Sequence, residues 1–193
     1  MMERIIEDLK RIYRHRPDRL RHVYGVRDMA VRLGKIHGAD LDTLRLAAYL
    51  HDITKYEDEA FQRTWALKRV SEETLARFDK PLWHAFSAAA VAKEVYGIDD
   101  EAVLTAIEHH TVGRPKMNLI EKILFISDYI EPTRLYPACV KAREIAFNDL
   151  DHAVNVALEE GIRHYEKVGG KIPDLAYDAH HHYAKRGGHH EQN

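Results

Sequence analysis

The chain has 193 residues, enough for a single domain with a sizeable core. Hydrophobic residues make up 45% and charged residues 31%, a balance that excludes a disordered chain. A formal net charge of -2 supplies no global basic field for a nucleic acid polymer or an anionic membrane, so an anionic ligand must be held by local charge or by metal.

Helical periodicity runs through nearly all of the sequence and no stretch alternates as a half-buried strand would, which predicts an all-α fold. The first helix is expected over residues 2–14; its opening run MMERIIEDLKRIY is charged throughout and lacks the apolar centre of a secretory signal. The second, over 19–37, follows Pro17 and stops at Gly38. On it His22 continues the stripe of Val26, Met29, Leu33 and Ile36 and so points inward. In the third, over 41–53, His51 continues Leu44, Ala47 and Ala48, with Asp52 beside it. A helix over 58–78 follows, then one over 82–96, opened by Pro81 and closed by Gly97, in which His84 leads Ala88, Val91 and Val95. Asp99 is expected to cap a helix over 99–110, whose buried face of Val103, Ala106 and Ile107 ends at His110. Residues Thr111 to Pro115 break the chain. Asp128 lies in a helix over 117–130 that is apolar almost all round and therefore central, and Pro132 interrupts it. Helices over 133–147, 149–168 and 173–185 complete the pattern.

Of the 14 histidines, His180, His181, His182, His189 and His190 gather near the C-terminus, where they read as a solvated, mobile end. The single cysteine, Cys139, allows no intramolecular disulfide, which suits the reducing cytoplasm. No apolar run approaches the ~20 residues that span a bilayer. The expected organisation is one domain over residues 1–193, with a core of about 19–160, a C-terminal helical extension and a His-rich tail.

A histidine on an apolar face is, taken alone, an ordinary hydrogen-bonded core residue. Asp128 is harder to bury, because an isolated carboxylate in a low dielectric is strongly unfavourable. Four histidines and two aspartates on the inward faces of five helices are satisfied together by one shared metal centre. Mixed imidazole and carboxylate donors suit iron, manganese, cobalt or zinc better than calcium or magnesium. Such a centre lowers the pKa of a bound water toward neutrality and so can supply a hydroxide for hydrolysis. The stripe also separates two neighbours: His110 shares the face of Val103 and Ile107, whereas His109 is rotated by about 100° and falls at the rim.

The order His22, the adjacent pair His51-Asp52, then the distant Asp128 resembles the H…HD…D signature of the HD superfamily of phosphohydrolases. His84 and His110 resemble the added ligands of its dinuclear branch. The segments Arg19-x-x-His22, LAAYLHDITK, AIEHHTVGRPKM and ISDYIEPTR look like the bacterial YqeK-type symmetrical bis(5′-nucleosyl)-tetraphosphatases, over residues of about 19 to 160. The resemblance implies an HD-domain helical bundle in which Asp52 bridges two metals. His22, His51 and Asp128 then complete one shell and His84 and His110 the other, with iron favoured. It also implies cleavage of diadenosine tetraphosphate to two ADP, with ADP or GDP able to bind as product. Two other readings stay open: an HD phosphohydrolase of other (deoxy)nucleotides or of (p)ppGpp, and a nucleotide-binding sensor without turnover. A homodimer is compatible with all three.

Lys55, three residues past Asp52, is placed either to reach a phosphate and assist catalysis with Asp52 or to complement a helix dipole. Thr111, Gly113 and Arg114 either offer phosphate donors or simply stop a helix. Arg19 and Arg134 resemble family positions near the nucleotide. Glu131 is either a partner of the ligands or an exposed helix charge. The ten tyrosines include candidates for base stacking, with nothing in the sequence to choose among them.

Overall fold

A computed structural model of the chain describes residues 1–185. Among them are α1 (Met2–Ile12), α2 (Pro17–His37), α3 (Leu41–Leu50), α4 (Glu59–Ala66), α5 (Glu72–Leu75), a 3-10 turn (Lys80–Leu82), α6 (Trp83–Tyr96), α7 (Glu101–His109), α8 (Leu119–Ile130), α9 (Pro137–Ala146), α10 (Leu150–Val168) and α11 (Asp174–Ala184), with no strand among the described residues. The fold is all-α.

Two helices with little polar surface form the centre. α8 buries Ile123, Leu124, Phe125, Ile126 and Ile130, so it needs neighbours on most sides and packs on α2, α3, α7, α9 and α10. α3 buries Leu44, Ala47, Ala48 and Leu50 and is surrounded by α1, α2, α6, α7 and α8. Each Leu, Ile or Phe side chain among these contributes roughly 1.5–3 kcal/mol when fully buried. Along α6 every residue from His84 to Ala92 is buried, and its alanines let α4 and α7 approach closely. A smaller apolar cluster of Leu75, Phe78, Leu82, Phe86, Val112 and Ala176 ties α5 and α6 to α11.

Most elements fall where the periodicity puts them, and the differences have local causes. The expected helix over 58–78 is two helices, because Asp58 and Ser71 each accept a backbone N–H and start a separate one. α3 stops at Leu50, and residues 51–56 form successive turns. Asp100, not Asp99, caps α7, its carboxylate accepting from the Ala102 N–H. α9 starts only at Pro137, which sets its first turn. On α2 the inward stripe holds at Val26, Met29 and Leu33, whereas Ile36 is exposed. His180, His181 and His182 belong to α11, anchored by buried Ala179 and Tyr183, rather than to a mobile end. His189 and His190 lie outside the described residues. No helix among the described residues is long and apolar enough to cross a membrane.

α10 and α11 close over a small apolar cavity of about 30 Å³, lined by Val112, Phe125, Leu158, Gly161, Ile162 and Ala176. A Cβ added at Gly161 would meet nothing within 4 Å. Alanine is favoured over glycine in a helix interior by about 0.8–1 kcal/mol. Gly161→Ala is therefore expected to raise the unfolding free energy by about 1 kcal/mol in urea denaturation. A decrease would mean that this stretch of α10 has no room to spare.

Candidate metal centre

The turn after α3 is held from three sides. Tyr13, fully buried at the end of α1, donates its hydroxyl to the Asp52 carbonyl at 2.6 Å. Gln62 of α4 donates to the carbonyls of Thr54 at 3.0 Å and Glu57 at 3.1 Å. The Thr54 hydroxyl donates to the His84 carbonyl at 3.0 Å. These bonds fix the His51-Asp52 pair against α1, α4 and α6.

The Asp52 carboxylate is the meeting point of four imidazoles. Its Oδ2 lies 3.3 Å from His51 Nε2 and 3.7 Å from His22 Nε2. Its Oδ1 lies 3.2 Å from His84 Nε2 and 3.7 Å from His110 Nε2. One oxygen thus faces α2 and α3, the other α6 and α7. Asp128 of α8 stands at the mouth, with Oδ1 3.1 Å from His22 Nε2, and its side chain is 19% exposed.

The opposite ring nitrogens decide which atoms point inward. His51 Nδ1 donates to the Ala48 carbonyl at 2.7 Å, His84 Nδ1 to Pro81 at 2.8 Å and His110 Nδ1 to Ile107 at 2.7 Å. His22 Nδ1 lies 3.2 Å from Glu131 Oε1, a carboxylate buried at the end of α8. With the proton held on Nδ1, a neutral imidazole presents a lone pair at Nε2. His84 Nε2 and His110 Nε2 consequently face each other at 3.3 Å. His22 Nε2 and His51 Nε2 are buried and make no well-aligned hydrogen bond among the described residues, their nearest acceptors being Asp128 Oδ1 at 3.1 Å and Asp52 Oδ2 at 3.3 Å. Lone pairs turned on one another and on a carboxylate call for a cation. Two triads have their donor atoms close enough to hold one: His22, His51 and Asp52, and Asp52, His84 and His110.

The protonation balance differs from ring to ring. Burial opposes a charged Asp52, yet His51, His110 and His84 hold its carboxyl well below the usual range. Burial likewise opposes charge on His22, but without a cation Asp128 and Glu131 push its pKa up to about 9, so that a metal ion would take the place of the Nε2 proton. Burial dominates at His84, which falls to about 4. Around the cluster, Arg19 donates to Asp52 Oδ2 at 2.7 Å and Arg134 to Asp128 Oδ1 at 2.9 Å. The Lys55 ammonium lies 3.2 Å from His84 Nε2. A cleft of about 430 Å³ opens to solvent over His22, between Arg19 and Arg134.

The structure therefore brings together His22, His51, Asp52, His84, His110 and Asp128, with Arg19, Lys55 and Arg134 beside them. His109 is turned away, donating to the Thr105 carbonyl at 2.9 Å. Of the two readings of the break after α7, the contacts made here favour the helix stop: its residues are engaged in packing. Gly113 adopts φ +65°, and a Cβ there would press on Leu158 at 3.3 Å and touch Met117 and Phe125. Arg114 is engaged by both carboxylate oxygens of Glu121, at 2.6 and 2.8 Å. Thr111 lines the apolar cavity under α11. Three supporting residues escaped the sequence reading. Tyr13 and Gln62 act on backbone carbonyls, which no side-chain pattern signals. Gly25 leaves room for Glu131, whose Oε2 would lie 2.8 Å from an added Cβ.

The HD domain model matches residues 19–133 of the chain. A Halalkalibacterium halodurans protein named bis(5′-nucleosyl)-tetraphosphatase, symmetrical, is 42% identical over 136 residues, which are 70% of this chain and 73% of that protein. A Bacillus subtilis protein of the same name is 35% identical over 69% of this chain and 72% of its own length. A Clostridium acetobutylicum crystal structure described as a predicted HD superfamily hydrolase involved in NAD metabolism superposes with a TM-score of 0.87. It has 32% identity and covers 96% of this chain and 98% of that one. With the fold, the ordered ligand-type residues and these relatives in agreement, the chain belongs to the HD-domain family, among the symmetrical bis(5′-nucleosyl)-tetraphosphatases.

Proposed function

We propose that the chain is a metal-dependent hydrolase of diadenosine tetraphosphate. It would add water at the phosphorus second from one adenosine and break that phosphorus's bond to the bridging oxygen toward the other half, so that two ADP leave. The observation that carries this reading is the convergence of four imidazole Nε2 atoms on the two oxygens of Asp52. The names of the relatives carry the substrate.

The donor set fits a pair of cations sharing Asp52. His22, His51 and Asp128 would hold one of them and His84 and His110 the other, with iron favoured over manganese, cobalt or zinc. When bound, such ions supply Lewis-acid stabilisation of phosphate charge and activation of water. Glu131, by holding the His22 Nδ1 proton, would keep Nε2 as the donor atom. Arg19 and Arg134 neutralise Asp52 and Asp128 as they stand, and with cations in that role they would be free to turn to phosphate oxygens in the cleft. Burial pulls the Lys55 pKa down, while Asp52 and Asp128 support its charge. It would face the same phosphate, where one donor to developing charge contributes ~10²–10³ in rate. The domain would span residues 1–193, with α1 and α9–α11 built onto the family core.

Two experiments test this reading. Chromatography of an early time point with diadenosine tetraphosphate should show ADP as the sole nucleotide product. Equal amounts of ATP and AMP would reject symmetrical cleavage and leave the metal assignment standing. Elemental analysis should find that His110→Ala loses metal while His109→Ala keeps it, with helical content unchanged in both. Equal metal content in the two variants would remove His110 from the ligand set.

A further inference from the structure

The cleft over His22 contains two aromatic rings, Tyr56 and Tyr136, and they are in different states. The Tyr56 ring is already in use. The Arg16 guanidinium lies 3.8 Å from its centroid, Tyr13 meets it edge-on at 6.2 Å, and its hydroxyl is 3.5 Å from Arg19 Nε. The Tyr136 ring and hydroxyl have no partner among the described residues, and the residue is 64% exposed. Its neighbour Leu135 is 75% exposed.

Exposed apolar groups often sit on loops that shift to cover them. This loop is tied down. Arg143 donates to the carbonyls of Ile130 at 2.7 Å, Glu131 at 2.9 Å and Arg134 at 2.8 Å. The Thr133 N–H donates to Glu131 Oε2 at 2.8 Å, and Pro132 and Pro137 fix φ on either side. The chain thus holds an open aromatic face rigidly, two residues from Arg134, on a cleft whose floor is His22. A rigid platform spares a ligand the entropy of ordering it.

Resting on the proposed function and refining it, we propose that Tyr136 is the nucleobase platform of the cleft. The base of one nucleoside diphosphate half stacks on its ring, and the phosphates run inward between Arg134 and Arg19 toward Asp52. Leu135 adds apolar contact beside the base. Tyr56 acts differently, holding Arg16 and Arg19 where the phosphates pass.

The test compares ADP with pyrophosphate, which keeps the diphosphate and lacks the base, as ligands of the metal-loaded protein by calorimetry. Base stacking on an aromatic side chain is worth roughly 1–3 kcal/mol by alanine substitution, so Tyr136→Ala should weaken ADP binding by roughly 5- to 150-fold. Pyrophosphate affinity and metal content should stay as in the wild type, and Tyr136→Phe and Tyr136→Trp should restore ADP binding. Undiminished ADP binding by Tyr136→Ala would overturn the platform, as would an equal loss for pyrophosphate. A change in sedimentation from dimer to monomer with ADP binding intact would assign Leu135 and Tyr136 to a contact between copies and overturn it too. Failure of the wild type to cleave diadenosine tetraphosphate, with Tyr136-dependent ADP binding intact, would remove the substrate assignment and leave the platform in place.

Discussion

A carboxylate buried among four imidazoles, each anchored through Nδ1, is the constraint from which the rest of the molecule follows. Asp52 Oδ2 faces His22 and His51, and Oδ1 faces His84 and His110. Without a cation, the arrangement sets His84 Nε2 against His110 Nε2 and leaves His22 Nε2 and His51 Nε2 with no well-aligned hydrogen bond. A fold selected only for stability would fill such a space with hydrocarbon, since replacing buried charge by packed apolar groups is often neutral or stabilising. The cluster at the junction of α2, α3, α6 and α7 therefore supports the reading of a site rather than of a core.

Holding four rings in that geometry requires outer partners for every one of them. Three Nδ1 atoms donate to carbonyls three residues earlier in their own helical turns, which makes the orientation nearly intrinsic to the local backbone. His22 lacks such a carbonyl and is held instead by Glu131, itself fixed by Thr133 and given room by Gly25. The Asp52 carbonyl is pinned by Tyr13 of α1, a helix outside the family match. α1 is therefore part of the centre's support, although it contributes no candidate ligand.

Much of this is legible in the sequence because burial in a helix repeats with the helical period. His22, His84 and His110 lie on apolar stripes, so their inward aim can be read from neighbours four and seven residues away. The centrality of α8 follows from its lack of a polar face. Contacts between helices distant in sequence are not legible in this way. The Thr111–Arg114 break looks like a loop of phosphate donors, yet Gly113 packs against Leu158 of α10, and Arg114 pairs with Glu121 in a capping box with Asn118. That Asn-x-x-Glu spacing is a readable helix start, but nothing local says that the glutamate also takes an arginine. Tyr136 likewise stands out only once its loop is seen to be rigid and its ring uncovered.

The central claim is that one carboxylate serves two cation positions. Anomalous diffraction at the iron edge, from crystals of the iron-loaded protein, addresses it directly. The account predicts two peaks flanking Asp52, one between Oδ2, His22 and His51 and the other between Oδ1, His84 and His110. A single peak, or two peaks neither of which contacts Asp52, would contradict it.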